Sequence, residues 1–573
     1  MKRTITTLLV ALMLTGYGSI VRAGPFEDAT DAFKRNDYAT ALQLVQPLAE
    51  QGNAAAQNSL GFMYLNGFGV SRDYSKALKL FRLAAAQGFA KGQNNLGLMY
   101  ANGQGVPQNY NEAVKLYRLA AAQGYALAQN NLGWMYRNGF GVPKDDSEAV
   151  RLYRLAVAQG EAAAHNNLAS MYRNGSGVPK DYGEAVKLYR LAVAQGDVGA
   201  QNNLGNMYQN GHGVPQDYGE ALRLYRLAAA RGHALAQSNI GFMYASGQGV
   251  PQDYGEAVKW FRDAVAQGNA EGQTNLGLRY ANGQGVQQDY GEALKLFRLA
   301  AAQGNAVAQN NIGWMYQNGF GVARDYDEAV KLYRLAVAQG NALAQTNLGR
   351  LYLDRRGVPP DYKEAANLFR LAAAQGNATA QNNLGSMYVN GQGVGQDFNE
   401  AVKLYRLAVA QGDAAAQNNL GAMYQKGQGV PPDDKEAVKF YRLAVAQGNP
   451  DAQNNLGFMH ASGKGVPQDY GEAAKLYRLA AVQGNAKGQY NLGLLYTNGQ
   501  GVAQDYAEAA KWYRLAADQG YADARTNLGF AYANGQGVAQ DHGEAVKLFR
   551  LAAEQGSAWA QNNLGFAIQT GKV

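Results

Sequence analysis

The sequence has 573 residues, 71 of them Gly and none Cys, with 47% hydrophobic and 17% charged side chains. That composition excludes both a disordered chain and a disulfide-stapled one, so packing alone must hold the molecule together. The formal charge is +8, and without Lys2, Arg3 and Arg22 it falls to +5, an excess too small over this length for the concentrated basic patch that a nucleic-acid partner demands.

At the N-terminus, Lys2 and Arg3 precede an apolar run from Ile5 through Leu14, then small and turn-forming residues and Val21-Arg22-Ala23. This order of regions is that of a secretory signal over residues 1–23, cleaved after Ala23, and it implies a periplasmic or secreted mature chain. The run is too short for an ordinary membrane helix, and no later stretch approaches ~20 apolar residues, so no transmembrane segment is expected. Without Cys there is no thiol to lipidate, oxidise or crosslink.

Residues 24–52 read as an N-terminal capping helix pair. Asp37-Tyr38, Ala41, Leu44 and Gln51-Gly52 fit the frame of the second helix of the repeat described next, and residues 26–36 supply a shortened partner. Pro47 is expected to bend or break that second helix, because proline removes an amide and crowds the preceding turn.

From residue 53 a single pattern takes over. Leu60-Gly61 returns at Leu96-Gly97 and Leu132-Gly133 and onward to Leu564-Gly565, always 36 residues apart. Fourteen units fill 53–556, and 557–573 make a terminal half repeat. In each unit Ala56, Leu60, Met63 and Tyr64 draw an apolar stripe down a first helix, A, which ends at Asn66-Gly67 and the glycine link through Gly69 and Val70. Asp73 is placed to cap a second helix, B, with a capping-box variant where Glu stands three residues on, as at Asp217 and Glu220. Ala77, Leu80, Phe81, Ala84 and Ala85 form the B stripe. Gly61 lies on the apolar face of helix A, where Gly costs ~1 kcal/mol relative to Ala, so a close crossing beside the Phe81 ring is expected there. These signals predict an all-α fold, an α/α solenoid of stacked helix pairs whose units bury their apolar faces only against neighbours. At ~10 Å per helix pair the array has a contour of roughly 150 Å.

The pattern A-x-x-x-L-G-x-x-Y-x-x-G-x-G-V followed by D-x-x-x-A-x-x-[LW]-[YF]-x-x-A-A-x-x-G, seen in Ala128 to Val142 with Asp145 to Gly160, resembles the Sel-one-like repeat, a relative of the tetratricopeptide repeat. The resemblance covers 53–573. It implies a right-handed superhelix with A helices on the concave face, and a function in binding proteins in envelope assembly, stress signalling or host interaction.

Catalytic and metal chemistry find little footing. The five histidines, His165, His212, His233, His460 and His542, occupy five unrelated repeat positions with no H-E-x-x-H, so a metal site is not expected. Gly175-Ser176-Gly177 is the glycine link, without a G-x-S-x-G, and the recurring G-x-G joins two helices where a dinucleotide site would need a strand. Cysteine-rich members of the related family are credited with β-lactam chemistry, but this chain lacks their Cys pairs and any Ser-x-x-Lys. No cofactor and no enzymatic activity are expected.

Two columns could contact a partner. The Asn before Leu-Gly, including Asn95, Asn131, Asn167, Asn203 and Asn311, either clasps the backbone of an extended peptide or locks the stacking of repeats. The residue after Leu-Gly varies while its neighbours do not, giving Trp134, Phe242, Trp314 and Arg350; it either edges the concave face as an interface anchor or packs on the next A helix. Arg137 and Gln317 stand one turn further along. The unbroken Arg82 column is expected to ion-pair between repeats, since acidic residues share its period, and Arg355 at a glycine site marks one irregular link. The reading is a monomeric, exported binding scaffold that takes a protein or extended peptide in its concave groove; its rivals are a secreted effector or adhesin and an envelope hydrolase of β-lactamase type.

Overall fold

The computed structural model describes residues 24–354 and 356–569; the leader, Arg355 and the last four residues of the terminal half repeat lie outside them. Among the described residues there are thirty-one helices and no strand. The chain forms two compact units, Met1–Ala300 and Ala301–Val573.

Unit 1 opens with two helices where the sequence leads one to expect a capping pair, α1 (Pro25–Lys34) and α2 (Tyr38–Glu50), followed by α3 (Ala54–Asn66) and α4 (Tyr74–Ala86) of the first repeat. Pro47 does not break α2, which runs on to Glu50. Proline withholds only its own amide there, and the Pro47 carbonyl still accepts from the Gln51 amide at 3.0 Å.

Each repeat is built by the same local rules. In α3 the stripe of Ala56, Leu60 and Met63 is buried, and Gly67 ends the helix in the left-handed conformation (φ 79°), its amide donating to Met63 O. Asp73 Oδ1 accepts from the Lys76 amide at 2.9 Å and starts α4. The Glu of the expected capping box does not reach back to the cap amide. At the Asp217–Glu220 cap the Asp217 amide donates to Tyr208 O at 3.0 Å, and Glu220 turns outward to pair with Arg223 at 2.7 Å. The cap amide is thus already satisfied by helix A, and the glutamate is free for a helix-surface pair.

The glycine of the Leu-Gly pair sits where a methyl group would collide with the B-helix aromatic ring. A Cβ on Gly61 would lie 2.9 Å from Phe81, and one on Gly133 would lie 2.8 Å from Tyr153. Both rings are fully buried. On the B stripe, Leu80 is only partly buried in this first repeat, but its equivalents Leu116, Leu152 and Leu188 are buried as the sequence predicts, and Leu78 joins them in the core.

Neighbouring repeats share their cores. One cluster in unit 1 gathers Ala113, Val114 and Tyr117 with Leu132, Met135 and Leu152 of the following repeat; in unit 2, Ala365 and Phe369 join Ala380, Leu384 and Leu404 in the same way. A repeat removed from this context would expose its apolar face, the basis of solenoid stability. Within each unit A helices also pack on the A helices of the next repeat, as Ala54–Asn66 does on Ala90–Asn102 in unit 1 and Pro450–Ser462 on Ala486–Asn498 in unit 2.

Arg82 Nη2 donates to the Tyr100 hydroxyl at 3.0 Å, and the bond recurs at Arg118–Tyr136, Arg190–Tyr208, Arg334–Tyr352 and Arg406–Tyr424. The expected inter-repeat ion pairs of this column are therefore replaced by guanidinium-to-phenol bonds in these repeats. The carboxylates are taken instead by lysines and arginines one turn away in the same B helix, as in Lys115–Glu112 and Lys331–Glu328. No helix among the described residues is long and apolar enough to cross a membrane.

Candidate partner-binding groove

The A helices and the loops entering them enclose a groove of about 1270 Å³ in unit 1, lined by residues from Ala54 to His233. Of the residues expected from sequence to bind, it brings together Asn95, Asn131, Trp134 and Asn167. Trp134 is 39% exposed and leans on Phe140, ring centroids 5.3 Å apart. Arg137, Asn203 and Phe242 belong to unit 1 but do not line the groove. Phe242 is exposed, and Arg137 lies beside Tyr153, a phenol that burial pushes well up and the Arg137 charge pulls down.

Asn311, Trp314, Gln317 and Arg350 lie in unit 2. Trp314, 40% exposed, repeats the Trp134 arrangement on Phe320 at 4.9 Å, and Arg350 is exposed. Gln317 has a structural partner, since its Oε1 accepts from the Tyr333 hydroxyl at 2.7 Å, as Gln209 and Gln425 accept from Tyr225 and Tyr441.

The asparagine column forms a ladder between repeats. Asn95 Nδ2 donates to Asn58 Oδ1 at 2.8 Å, Asn131 to Asn94 at 2.9 Å, Asn167 to Asn130 at 2.8 Å and Asn203 to Asn166 at 2.9 Å. Each rung therefore joins the Asn before Leu-Gly to the Asn two residues before Leu in the preceding repeat. The donors are committed to stacking, and only what remains of each amide can face a ligand. Asn311 is an exception: its buried Nδ2 finds no partner.

The histidines act locally. His233 Nδ1 caps its helix by accepting from the Ala236 amide at 3.2 Å, His212 stacks on Tyr182 at 4.5 Å, and His165 Nδ1 lies 2.9 Å from Glu161 O. His460 Nδ1 is buried without a hydrogen-bond partner. Among the described residues no three metal-capable side chains cluster.

The sequence reading missed the residues that give the groove its character. Entry to helix A is made by Asn at Asn53, Asn269, Asn305, Asn341, Asn377, Asn449 and Asn485, and each caps its helix. Between Asn53 and Asn269 the same column reads Phe89, Tyr125, Glu161, Asp197 and His233, and all five line the groove. Column-by-column comparison would have exposed this departure. A second overlooked stripe is an exposed leucine recurring on the B helices, such as Leu119, Leu155 and Leu191, and replaced by Asp263 in one of them.

A family model described as the Sel1 repeat matches fourteen consecutive segments, from 54–89 to 522–557. The chain belongs to the Sel1 repeat family, whose members serve generally as protein-interaction scaffolds. Among solved structures, it is 34% identical to a protective antigen of uropathogenic Escherichia coli displaying an SLR fold, covering 78% of this chain and 96% of that one with a TM-score of 0.47. It is also 34% identical to a Sel1 repeat protein from Oxalobacter formigenes, covering 42% of this chain and 96% of that one with a TM-score of 0.39. No match is found among curated proteins.

Proposed function

We propose that this protein is an exported, non-catalytic scaffold that binds an extended segment of a partner protein along the unit 1 groove. The observation that carries this reading is the groove itself, about 1270 Å³ of space spanning several A helices, with Trp134 exposed in it. A large, rigid aromatic side chain on a helical scaffold is a typical interface anchor. The Asn ladder holds the floor in register, and the charge order of residues 1–23 supports export to the periplasm or beyond.

The test replaces Trp134 by Ser and, as a matched control, Leu119 by Ser on the exposed B-helix stripe. The groove reading expects Trp134→Ser to keep helicity and melting near wild type while partner retention drops by at least about tenfold, with Leu119→Ser close to neutral. Loss of retention with Leu119→Ser alone would move the working surface to the B helices. Fractionation of the mature chain into periplasm or medium tests the export half of the reading, and retention in the cytoplasm would refute it.

A further inference from the structure

Among the described residues the Glu161 carboxylate in the groove wall makes no ion pair, and the one opposing charge it feels is that of His165. Where Asn, Asp or His enters helix A, the side chain accepts from the amide three residues on, as Asn305 does from Ala308 at 2.9 Å and Asp197 from Ala200 at 2.6 Å. Glu161 is one methylene longer, and it reaches only the Ala163 amide, two residues on, at 3.4 Å. That is a weak cap for a side chain only 9% exposed, and no ion pair among the described residues engages it. Burial raises its pKa above the ordinary carboxylate value; the Ala163 amide opposes, the Asp197 charge adds to the rise and His165 opposes it.

The neighbouring carboxylate differs. Asp197 is also buried, but it caps its helix well and feels the attractive charge of Arg231, whose guanidinium is tethered to Gly196 O. One of the two acids is thus served from within the chain and the other is not. Beside Glu161 the groove wall carries the Tyr125 ring, at the entry of the preceding A helix. Burial pushes the Tyr125 phenol up to about 12, and the Glu161 charge pushes in the same direction, which places the two side chains within electrostatic reach of each other.

A buried carboxylate held by one long hydrogen bond and no ion pair is costly, and a cation delivered from the groove would relieve that cost. Aromatic faces favour a cationic head and also the aliphatic stem that carries it. We propose that the groove of unit 1 receives a lysine or arginine side chain of an extended partner segment, its head on the Glu161 carboxylate and its stem along Tyr125, with Trp134 further down the groove holding the rest of the segment. This rests on the groove reading above and adds the chemistry that the groove selects. Lys91 and Arg231 also line the groove, Arg231 being held beside Asp197, so the selectivity is local to Glu161, where an acidic or purely apolar side chain would leave the carboxylate without an ion pair.

The experiment measures binding of nine-residue Gly/Ser/Leu peptides to the full mature chain, the central residue being Arg, Lys, citrulline or Glu. Arg and Lys peptides should bind at least about tenfold more tightly than the citrulline peptide, which keeps the shape of Arg without its charge. Glu161→Gln should abolish that preference, bringing the Arg, Lys and citrulline peptides to within about twofold of one another. Glu161→Asn installs the capping residue of the other repeats, is expected to fold at least as well, and should give the same result. Trp134→Ser should weaken all the peptides. Equal binding of Arg and citrulline peptides to wild type, or a preference that survives both Glu161 variants, overturns the cation site and leaves the groove reading standing. Failure of every peptide to bind overturns both.

Discussion

The asparagine ladder makes a prediction that depends on whether each amide has a partner. Asn131 Nδ2 donates to Asn94 Oδ1 at 2.9 Å, and Asn94 is 1% exposed. Asn131→Ala removes one buried hydrogen bond, a net ~1 kcal/mol, and strands a buried carbonyl, for ~1–3 kcal/mol more before relaxation. We expect a local loss of ~2 kcal/mol. Asn94→Ala should cost a similar amount, and the double variant should cost ~1 kcal/mol less than the sum, because the second substitution removes the group that the first had stranded. Asn311 is the internal control. Its Nδ2 has no partner, so Asn311→Ala forfeits no inter-repeat bond and loses only the long 3.3 Å bond that Asn311 Oδ1 accepts from Asn310 in the same repeat, for ~1 kcal/mol, about half the loss at Asn131. Hydrogen exchange of amides in helices Ala126–Asn138 and Ala306–Asn318 reads the effect repeat by repeat, and a loss of ~2 kcal/mol appears as roughly 30-fold faster exchange. Equal acceleration in both helices would refute the argument, since the column would then contribute through size or helix propensity and not through its inter-repeat bond.

Three further outcomes follow from the geometry. Gly133→Ala should destabilise its repeat by ~1 kcal/mol, because overpacking against the immobile Tyr153 ring costs ~1–3 kcal/mol and helix propensity returns ~1 kcal/mol; a denaturation midpoint above wild type would show that the ring yields freely. Asp145→Ala removes the cap on the Glu148 amide and should cost ~1 kcal/mol, seen as faster exchange over residues 146–149 and absent from distant repeats. Glu161→Asn should stabilise unit 1 by ~1 kcal/mol at neutral pH by restoring a good cap. Because burial raises the Glu161 pKa, the penalty on its charged form operates above that folded value and disappears as pH falls through it, so the advantage of Asn should shrink on acidification. A difference in melting that is flat with pH would contradict this.

Helix boundaries, caps and the Gly–ring contact were legible in the sequence because they follow local rules that recur at every repeat. Gly61 beside Phe81 needs only helical spacing and the cost of glycine to be inferred. Contacts set by three-dimensional register were not legible. The Asn95–Asn58 bond and the Arg82–Tyr100 bond depend on the stacking angle between repeats, which periodicity does not specify. Charge periodicity pointed the arginines at the acidic column, whereas a lysine or arginine one turn from each glutamate lies closer. The groove was legible in part: Trp134 stood out because it varies within a constant frame, while Tyr125 and Glu161 were hidden in a column read only for its histidine. Pro47 shows the converse, a strong local signal outweighed by the packing of α2.

The central claim is that the A-helix groove, and not the B-helix leucine stripe, is the working surface. Photo-crosslinkers placed singly at Leu98, Trp134 and Val198 in the groove, and at Leu119, Leu155 and Leu191 on the B helices, test it in living cells. The account predicts that the three groove positions label one partner, with the attachment points falling in sequential order along a single extended segment that carries a Lys or Arg, and that the B-helix positions give no comparable adduct. Adducts that form chiefly from Leu119, Leu155 and Leu191 would contradict it.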